Sequence, residues 1–498
     1  MIFFNRTEYI YKIKKLGSKN HINAYKTALE IASAVKEAGG RAFLVGGCVR
    51  DMVLGQVSKD FDLEVYKLQP QEVEKIVKQF GKISDVGKSF GVLKVFFGEG
   101  ITIDVSLPRE DSKISAGHKG FDINTDPYMS FEKAASRRDF TINSIGFDPL
   151  TNKFYDPFNG IEDIKNKVLK VTNPKAFTED PLRILRAIQF VARFELEVEP
   201  ETKKAIQKML PYLKELPKER ILEEWKKLLL RAEKPSLGFI IGDELGVFKQ
   251  LHPEFYTFEK IKIVSESKSP VGAPDISGDW SEDIWAITII SVDAAAQIIR
   301  KENLDEKDAF VIMLISFCYL HKEKTVRKFL SSIGVDKDTR IRALKLIAYF
   351  WKFIEMGKNK QNVFEKLTDG KLRELATELY PATIYEFVLL LNIKYGCKKI
   401  NVDKIDFEYI NFQEYSPIGK KILDRAKFLE IERSKPEDII AGRDLIELGL
   451  KPDNKFGIII KIANQLRDER AFTKTQIINA LKNVKDMNAA IERLKKLI

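Results

Sequence analysis

The sequence predicts an α+β fold: a small head built on a mixed β-sheet, followed by an all-helical neck, body and tail. Three observations carry this expectation. Strand-like apolar or alternating runs fall early, at residues 42–45, 59–66, 92–97 and 101–105, whereas the chain from Thr178 onward reads as mostly helical. A chain of 498 residues exceeds one ordinary core, so several domains are expected. No tandem repeat or low-complexity segment interrupts it. The expected partition is a lead-in at 1–22, the head at 23–155, a neck at 156–232, a body at 233–350 and a tail at 351–498.

The elements follow in order. Asn23 to Ala38 has amphipathic helical spacing and ends at Gly39-Gly40. Ala42 to Val45 is a short apolar run, expected as a buried strand. Gly46-Gly47 then lets the backbone turn into a short helix from Cys48 to Leu54, with Gly55 as its stop. In Lys59 to Tyr66 acids and apolar residues alternate, so Asp60 and Asp62 share one strand face while Phe61, Leu63 and Val65 pack behind. Pro70 to Phe80 is a helix by periodicity, with Val73, Ile76, Val77 and Phe80 on one side. Val92–Phe97 and Ile101–Val105 are strands, and Gly98-Glu99-Gly100 between them is a hairpin signal. Asp104 alternates with Ile103 and Val105 and so becomes a third acid for the same site.

Arg109 to Glu132, with His118 inside it, reads as a long polar loop of the kind that is functional or mobile. Ala135 to Ser144 contains Arg137-Arg138-Asp139, and Asp156 to Gly160 is turn-rich. A helix is expected at Thr178, with Thr178 as N-cap, Glu179 and Asp180 complementing the dipole and Pro181 in the first turn. Asp180 and Arg183 lie one turn apart, with Arg186 further along. Ser265 to Ser281, with Pro270, Gly272, Pro274 and Gly278, is the clearest linker-like break.

Composition narrows the class. Hydrophobic residues make up 44% and charged residues 31%, which excludes a disordered chain. Lysine plus arginine outnumber acids 83 to 72, a net +11 that leans toward a polyanionic partner. Cys48, Cys318 and Cys397 cannot form a disulfide framework, and no apolar run approaches the ~20 residues needed to cross a bilayer. The N-terminal stretch lacks a signal-peptide core. The expected location is therefore cytoplasmic.

Taken singly, the polar features also fit ordinary roles: a Gly-Gly turn, a solvated acidic strand, a surface ion pair. Taken together they describe a site. Free N–H groups after Gly46 and Gly47 suit phosphate. Asp60 and Asp62, roughly 7 Å apart along a strand, can converge on divalent ions, with Asp104 beside them. An arginine pair and an Asp–Arg helix follow. This order closely resembles the class II nucleotidyltransferases, the family of bacterial CCA-adding enzymes and poly(A) polymerases, specifically over about Ala42 to Thr202.

The resemblance implies a nucleotidyltransferase-type head and assigns roles. Gly46, Gly47 and Arg50 would meet the nucleotide triphosphate. Asp60 and Asp62 would hold Mg²⁺, with Asp104 as the third catalytic acid. Arg138, Asp139 and Asn143 match the segment associated with ribose and phosphates, and Asp156 to Asp163 the hinge. Asp180 and Arg183 match the base reader, with Arg186 a further nucleotide contact. An Asp accepting from an exocyclic amine beside a donating Arg would admit CTP and ATP and reject UTP and GTP. Two positions depart from many relatives, which carry arginine where this chain has Gln189 and Ala176.

Downstream, residues 283–288 and 317–322 resemble a degenerate HD phosphohydrolase domain. Ile287, Cys318 and Tyr319 stand where that domain has its metal ligands, so no such activity is expected and His321 reads as structural. Ala441 to Pro452 resembles the CCA-adding branch. The implied reaction is addition of the terminal CCA to tRNA from CTP and ATP, with no membrane and no partner protein implied. The rivals are a poly(A) polymerase, a CC-only or A-only enzyme, and a catalytically silent RNA-binding protein.

Overall fold

A computed structural model describes residues 15, 19–58, 60–84, 92–97, 101–113, 121–255, 284–358, 368–397, 416–484 and 486–498. Most of the lead-in, the hairpin glycines 98–100, His118 and the break at 265–281 lie outside the described residues. The chain divides into two compact units, 1–228 with 237–251 and 229–236 with 252–498.

The first unit opens with α1 (Lys19–Glu37), which starts four residues before its expected N-terminus. Strand β1 (Arg41–Val45) leads through Gly46 into α2 (Gly47–Val53), and β2 (Phe61–Tyr66) follows. After α3 (Pro70–Val77) come β3 (Lys82–Ser84), β4 (Val92–Phe97) and β5 (Ile101–Ser106). With β8 (Gly146–Asp148) and β9 (Lys153–Tyr155), these strands form one sheet in the order β3-β4-β5-β2-β1-β8-β9. It is a mixed sheet: β2 runs parallel to β5 and antiparallel to β1.

Alternation on β2 separates its two faces. Phe61 meets Tyr25 of α1, with ring centroids 5.7 Å apart, so the apolar row of β2 covers the helix side. On the opposite face Phe43, Val45 and Tyr66 pack with Met129 and Ala134. The parallel pairing matters most for chemistry because it sets Asp62 directly beside Asp104.

Two expectations are corrected. Arg109 to Glu132 is not one long loop. Its ends form an antiparallel ribbon, β6 (Arg109–Lys113) with β7 (Phe121–Thr125), and α4 (Phe131–Ser136) begins before the segment closes. Polar residues at every position of β6 hide that strand, and the alternation of Phe121 and Ile123 with Asp122 and Asn124 in β7 is only five residues long. Nor does Thr178 cap a long helix. It ends α6 (Pro174–Phe177), its hydroxyl donating to the Lys175 carbonyl, and α7 (Leu182–Phe194) starts after Pro181. Asp180 supplies the side chain that accepts from the Leu182 N–H.

Residues after Tyr155 are fastened to the preceding segment by close backbone contact. Asp156 accepts from the N–H groups of Gly160 and Ile161, both at 2.8 Å, and starts α5 (Gly160–Lys165). A Cβ on Gly160 would stand 2.1 Å from the Thr141 carbonyl oxygen, so only glycine allows this approach. Thr141 in turn donates to Asp163 at 2.6 Å.

The second unit is helical throughout its described residues. Arg342 is buried among Glu386, Asp308 and Asp338, a charge cluster inside the helical packing. Tyr319 is fully buried with its hydroxyl 2.9 Å from Ser291. His321 packs edge-on to Phe255, and burial pushes its pKa down to about 4, leaving a neutral ring. The last residues, from Ile440, close a core of their own around Leu445, Ile459, Leu466 and Leu494. No helix among the described residues is long and apolar enough to cross a membrane.

Candidate active site

The site grows from the turn between β1 and α2. Gly46 has φ 72°, a left-handed conformation that favours glycine. A Cβ there would lie 3.3 Å from Arg138 Nη1 and 3.4 Å from Asp62 Oδ2. The glycine therefore leaves room where an arginine and a carboxylate from distant segments meet. Cys48, next along, is buried; its thiol donates to the Val45 carbonyl, and burial followed by the Asp62 charge pushes its pKa up to about 12.

The three expected acids come together. Asp60 is exposed, Asp62 half-buried, and Asp104 pairs with Asp62 across β2 and β5. Burial, then the charges of Asp104 and Asp60, push Asp62 up to about 6, against the pull of Arg138 and Lys94. Burial also raises Asp104, with Lys94 opposing; Lys94 Nζ stands 3.7 Å from its Oδ1. That Oδ1 is buried and has no hydrogen-bond partner.

These carboxylates fit a hard divalent cation. They are all-oxygen donors, mutually repelling, with one buried acceptor unmet. Among the described residues no cluster of three or more His, Cys, Asp or Glu could hold a metal alone. A Mg²⁺ site needs no such cage, since one or two carboxylates and substrate phosphates suffice.

Arg137 and Arg138 follow α4 and approach Glu64, a fully buried carboxylate on the same β2 face as Asp62. Asp139 turns away. Its Oδ1 accepts from the Phe140 N–H at 2.8 Å and Asn143 Nδ2 at 3.0 Å, and its Oδ2 from Arg186 at 2.6 Å. Burial alone would raise its pKa, but Arg186 and these hydrogen bonds outweigh that and hold it below the usual carboxylate range. Arg50 is buried as well: it donates to Asn143 Oδ1 at 2.7 Å and lies over the Phe194 ring at 4.5 Å. Arg50, Asn143, Asp139 and Arg186 thus form one continuous network between α2 and α7.

The expected Asp180–Arg183 couple takes a different form. Asp180 accepts from Arg220 at 2.7 and 3.3 Å, and this pairing overcomes burial to lower its pKa. Arg183 donates to the backbone carbonyls of Ala176 and Arg137, at 2.5 and 2.7 Å. The two charges act on one another, but their hydrogen bonds go elsewhere. Arg183 spends two of its five donors, and a carboxylate has about four acceptor sites, so both retain capacity for a base. Gln189 is buried and accepts from Arg193 at 3.2 Å, while Ala176 offers Arg183 its carbonyl.

Comparison with known proteins bears on the same residues. Residues 42–170 match the family described as the poly(A) polymerase head domain. Residues 195–258 match the one described as a probable RNA- and SrmB-binding site of polymerase A. Over these segments the chain is similar to bacterial poly(A) polymerases and CCA proteins. Among the similar curated proteins, the poly(A) polymerase I of Haemophilus influenzae is 31% identical over 237 residues, 46% of this chain and 51% of that protein. The multifunctional CCA protein of Mannheimia succiniciproducens is 35% identical over 221 residues, 43% and 50% of the two chains. The chain therefore spans about half the length of the curated relatives it matches.

Solved nucleotidyltransferase structures share the fold further. The Bacillus stearothermophilus CCA-adding enzyme in complex with CTP aligns with TM-score 0.64 at 21% identity, over 95% of this chain and 99% of that one. The Thermotoga maritima CCA-adding enzyme complexed with tRNA aligns with TM-score 0.57 at 18% identity, over 97% and 96%.

Two site residues escape sequence reasoning. Glu64 was visible as the next acid in the alternating row, but its complete burial was not. Arg220 carries no local signal, because its partner Asp180 lies forty residues earlier.

Proposed function

We propose that this protein adds the 3′-terminal CCA to tRNA from CTP and ATP, by attack of the RNA 3′-hydroxyl on the nucleotide α-phosphorus with release of pyrophosphate. The observation that carries this reading is the meeting of Asp60, Asp62 and Asp104 with Arg138 at Gly46: clustered carboxylates facing a guanidinium across a glycine. A protein that only binds RNA gains nothing from three acids near RNA phosphates.

Asp60 and Asp62 would hold Mg²⁺, with Asp104 as the third acid. The bound ion would lower the hydroxyl pKa and neutralise charge on the phosphates. Arg138 offers donors to phosphate oxygens from the other side of Gly46. Asp180 and Arg183 would read the amine edge shared by cytosine and adenine, excluding uracil and guanine, whose carbonyls would face the Asp180 lone pairs. The lysine-rich helices of the second unit would follow the tRNA backbone by charge and shape. No partner protein or membrane enters this scheme, and the cytoplasm is the expected location.

The Haemophilus relative favours a second reading, poly(A) synthesis. Support for CCA addition comes from the Mannheimia relative and the resemblance of Ala441 to Pro452. One assay separates them: a tRNA lacking its 3′ end, Mg²⁺, and CTP or ATP alone or together. The expected outcome is ordered addition of two C and one A. Extended tails on unstructured RNA with ATP alone would overturn it, and addition of only CC or only A would narrow it.

A further inference from the structure

We propose that Glu64 is a positioning residue: it holds the Arg137–Arg138 pair so that Arg138 presents its guanidinium across Gly46 to the triphosphate instead of closing onto Asp62. This rests on the nucleotidyl-transfer reading above.

Glu64 lies two residues beyond Asp62 on the acid face of β2, between Phe43 of β1 and Ser106 of β5, and it is fully buried. A buried carboxylate must be met by hydrogen bonds or opposite charge. Here the two oxygens divide the work. The Tyr66 hydroxyl donates to Oε2 at 2.6 Å, while Arg138 Nη2 and Arg137 Nη2 stand 3.5 and 3.6 Å from Oε1. Tyr66 is itself held by the edge of Phe43, with centroids 5.5 Å apart, so the carboxylate sits on a rigid support.

The distances decide the role. Charge-assisted N–H···O bonds close to ~2.7–2.9 Å. At 3.5–3.6 Å the arginines are steered by Glu64 but not saturated by it. Arg138 Nε is buried without a hydrogen-bond partner, which also leaves donor capacity. Arg138 thus keeps donors suited to phosphate.

The competing arrangement is close at hand. Arg138 Nη1 and Asp62 Oδ2 lie 3.3 and 3.4 Å from the same point, where a Cβ of residue 46 would be. Glu64 removed, Asp62 is the carboxylate left facing Arg138. Their pairing would withdraw the arginine from the nucleotide and mask a metal ligand at once. Glu64 keeps these two groups apart by giving the arginines another anion behind the site.

The test is a double-mutant cycle on the full-length protein with Glu64→Gln, Arg138→Ala and the double variant, measured as CTP incorporation into a tRNA lacking its 3′ end. Glu64→Gln should raise the KM for CTP about tenfold with a smaller change in kcat, because a misaimed charged donor is lost from binding. In the Arg138→Ala background the same substitution should add nothing. An unchanged KM, or effects that multiply, would overturn the proposal. Should Glu64→Gln fail to fold, as judged by its unfolding transition, Tyr66→Phe decides. It keeps the charge and loses the anchoring hydroxyl, and should raise the KM about threefold; no change there overturns the proposal as well. If the wild type extends no tRNA, the nucleotidyl-transfer reading fails by itself. The same cycle read as equilibrium binding of ATP then still judges Glu64.

Discussion

The acids of the β2–β5 strands and the acids around α7 are built to opposite ends. Asp62 and Asp104 are half-buried, repel one another, and are raised in pKa; Asp104 keeps an acceptor unmet. Asp139 and Asp180 are buried to a similar or greater depth, yet arginines from α7 and beyond satisfy both and hold their pKa values down. Burial pushes all four upward, so the difference lies in the partners. The strand acids have only the loose contact of Lys94 and the pull of Arg138, whereas the α7 acids are met by arginines at hydrogen-bond distance. On the proposed function, one set is arranged for an incoming metal and nucleotide, the other as a frame that is complete beforehand.

The largest effect should come from Asp62→Ala. Removing a metal ligand should cut incorporation by about a thousandfold or more, since metal assistance is worth several kcal/mol at the transition state. The unfolding temperature in metal-free buffer at neutral pH should hold or rise, because the substitution deletes a carboxylate whose ionised form the folded state disfavours. A fall in unfolding temperature with retained incorporation would erase the distinction between the two sets.

Asp139→Asn should show the reverse balance. It strands the Arg186 guanidinium beside a neutral group, and breaking a buried charge pair costs about 3 kcal/mol. The pH sign follows from the lowered pKa. Asp139 contributes stability that is fully present above the ordinary carboxylate value of about 4 and is lost as pH falls below it. Thermal unfolding followed from pH 5.5 down to 3.5 should therefore decline less steeply in Asp139→Asn than in wild type. Equal slopes would mean that Arg186 does not stabilise the charged form.

Much of the strand site was legible in the sequence, and little of the frame. Alternation fixed the face of Asp60, Asp62 and Asp104 because a strand has only two faces. The left-handed turn at Gly46 followed from the two adjacent glycines. By contrast, Thr178 looked like an N-cap, whereas the helix starts later, after Pro181, with Asp180 Oδ1 accepting from the Leu182 N–H. The motif spacing was right while its local geometry was not, because three-residue spacing does not say which neighbour a carboxylate faces. Arg220 belongs to the helix Lys218–Arg231, and only tertiary packing brings it to Asp180. The ribbon β6–β7 was misread for a related reason: β6 is polar throughout and leaves no apolar trace, so the short alternation of β7 had no partner strand to suggest it.

A smaller effect separates the two reader residues. Arg183 ties the Ala176 and Arg137 carbonyls together, so it joins the helix proposed to read the base to the arginine pair proposed to face the phosphates. Arg183→Ala should therefore slow addition of every nucleotide, by about tenfold for two lost charged hydrogen bonds. It should also narrow the preference for CTP and ATP over UTP and GTP. Asp180→Asn should narrow the preference with less loss of overall rate. Single-nucleotide incorporation with each of the four triphosphates distinguishes them; identical profiles would mean that Arg183 reads the base and does nothing else.

The smallest effect should come from Arg220→Ala. Asp180 and Arg220 are each somewhat under a third exposed, so water already screens their attraction and the stability loss should be about 1 kcal/mol. The consequence lies in aim. Asp180 would keep its bond from the Leu182 N–H on Oδ1 but lose the guanidinium that fixes the plane of the carboxylate. A carboxylate free to rotate can turn an oxygen away from a mismatched carbonyl, so UTP and GTP should be rejected less well while CTP and ATP are added nearly as fast. Arg220→Lys would restore charge without the bidentate geometry. If the arginine matters only as a counter-charge, the lysine variant should reject UTP as wild type does. If it sets the carboxylate plane, lysine should behave like alanine, and the α7 frame would be a device for holding the base reader still.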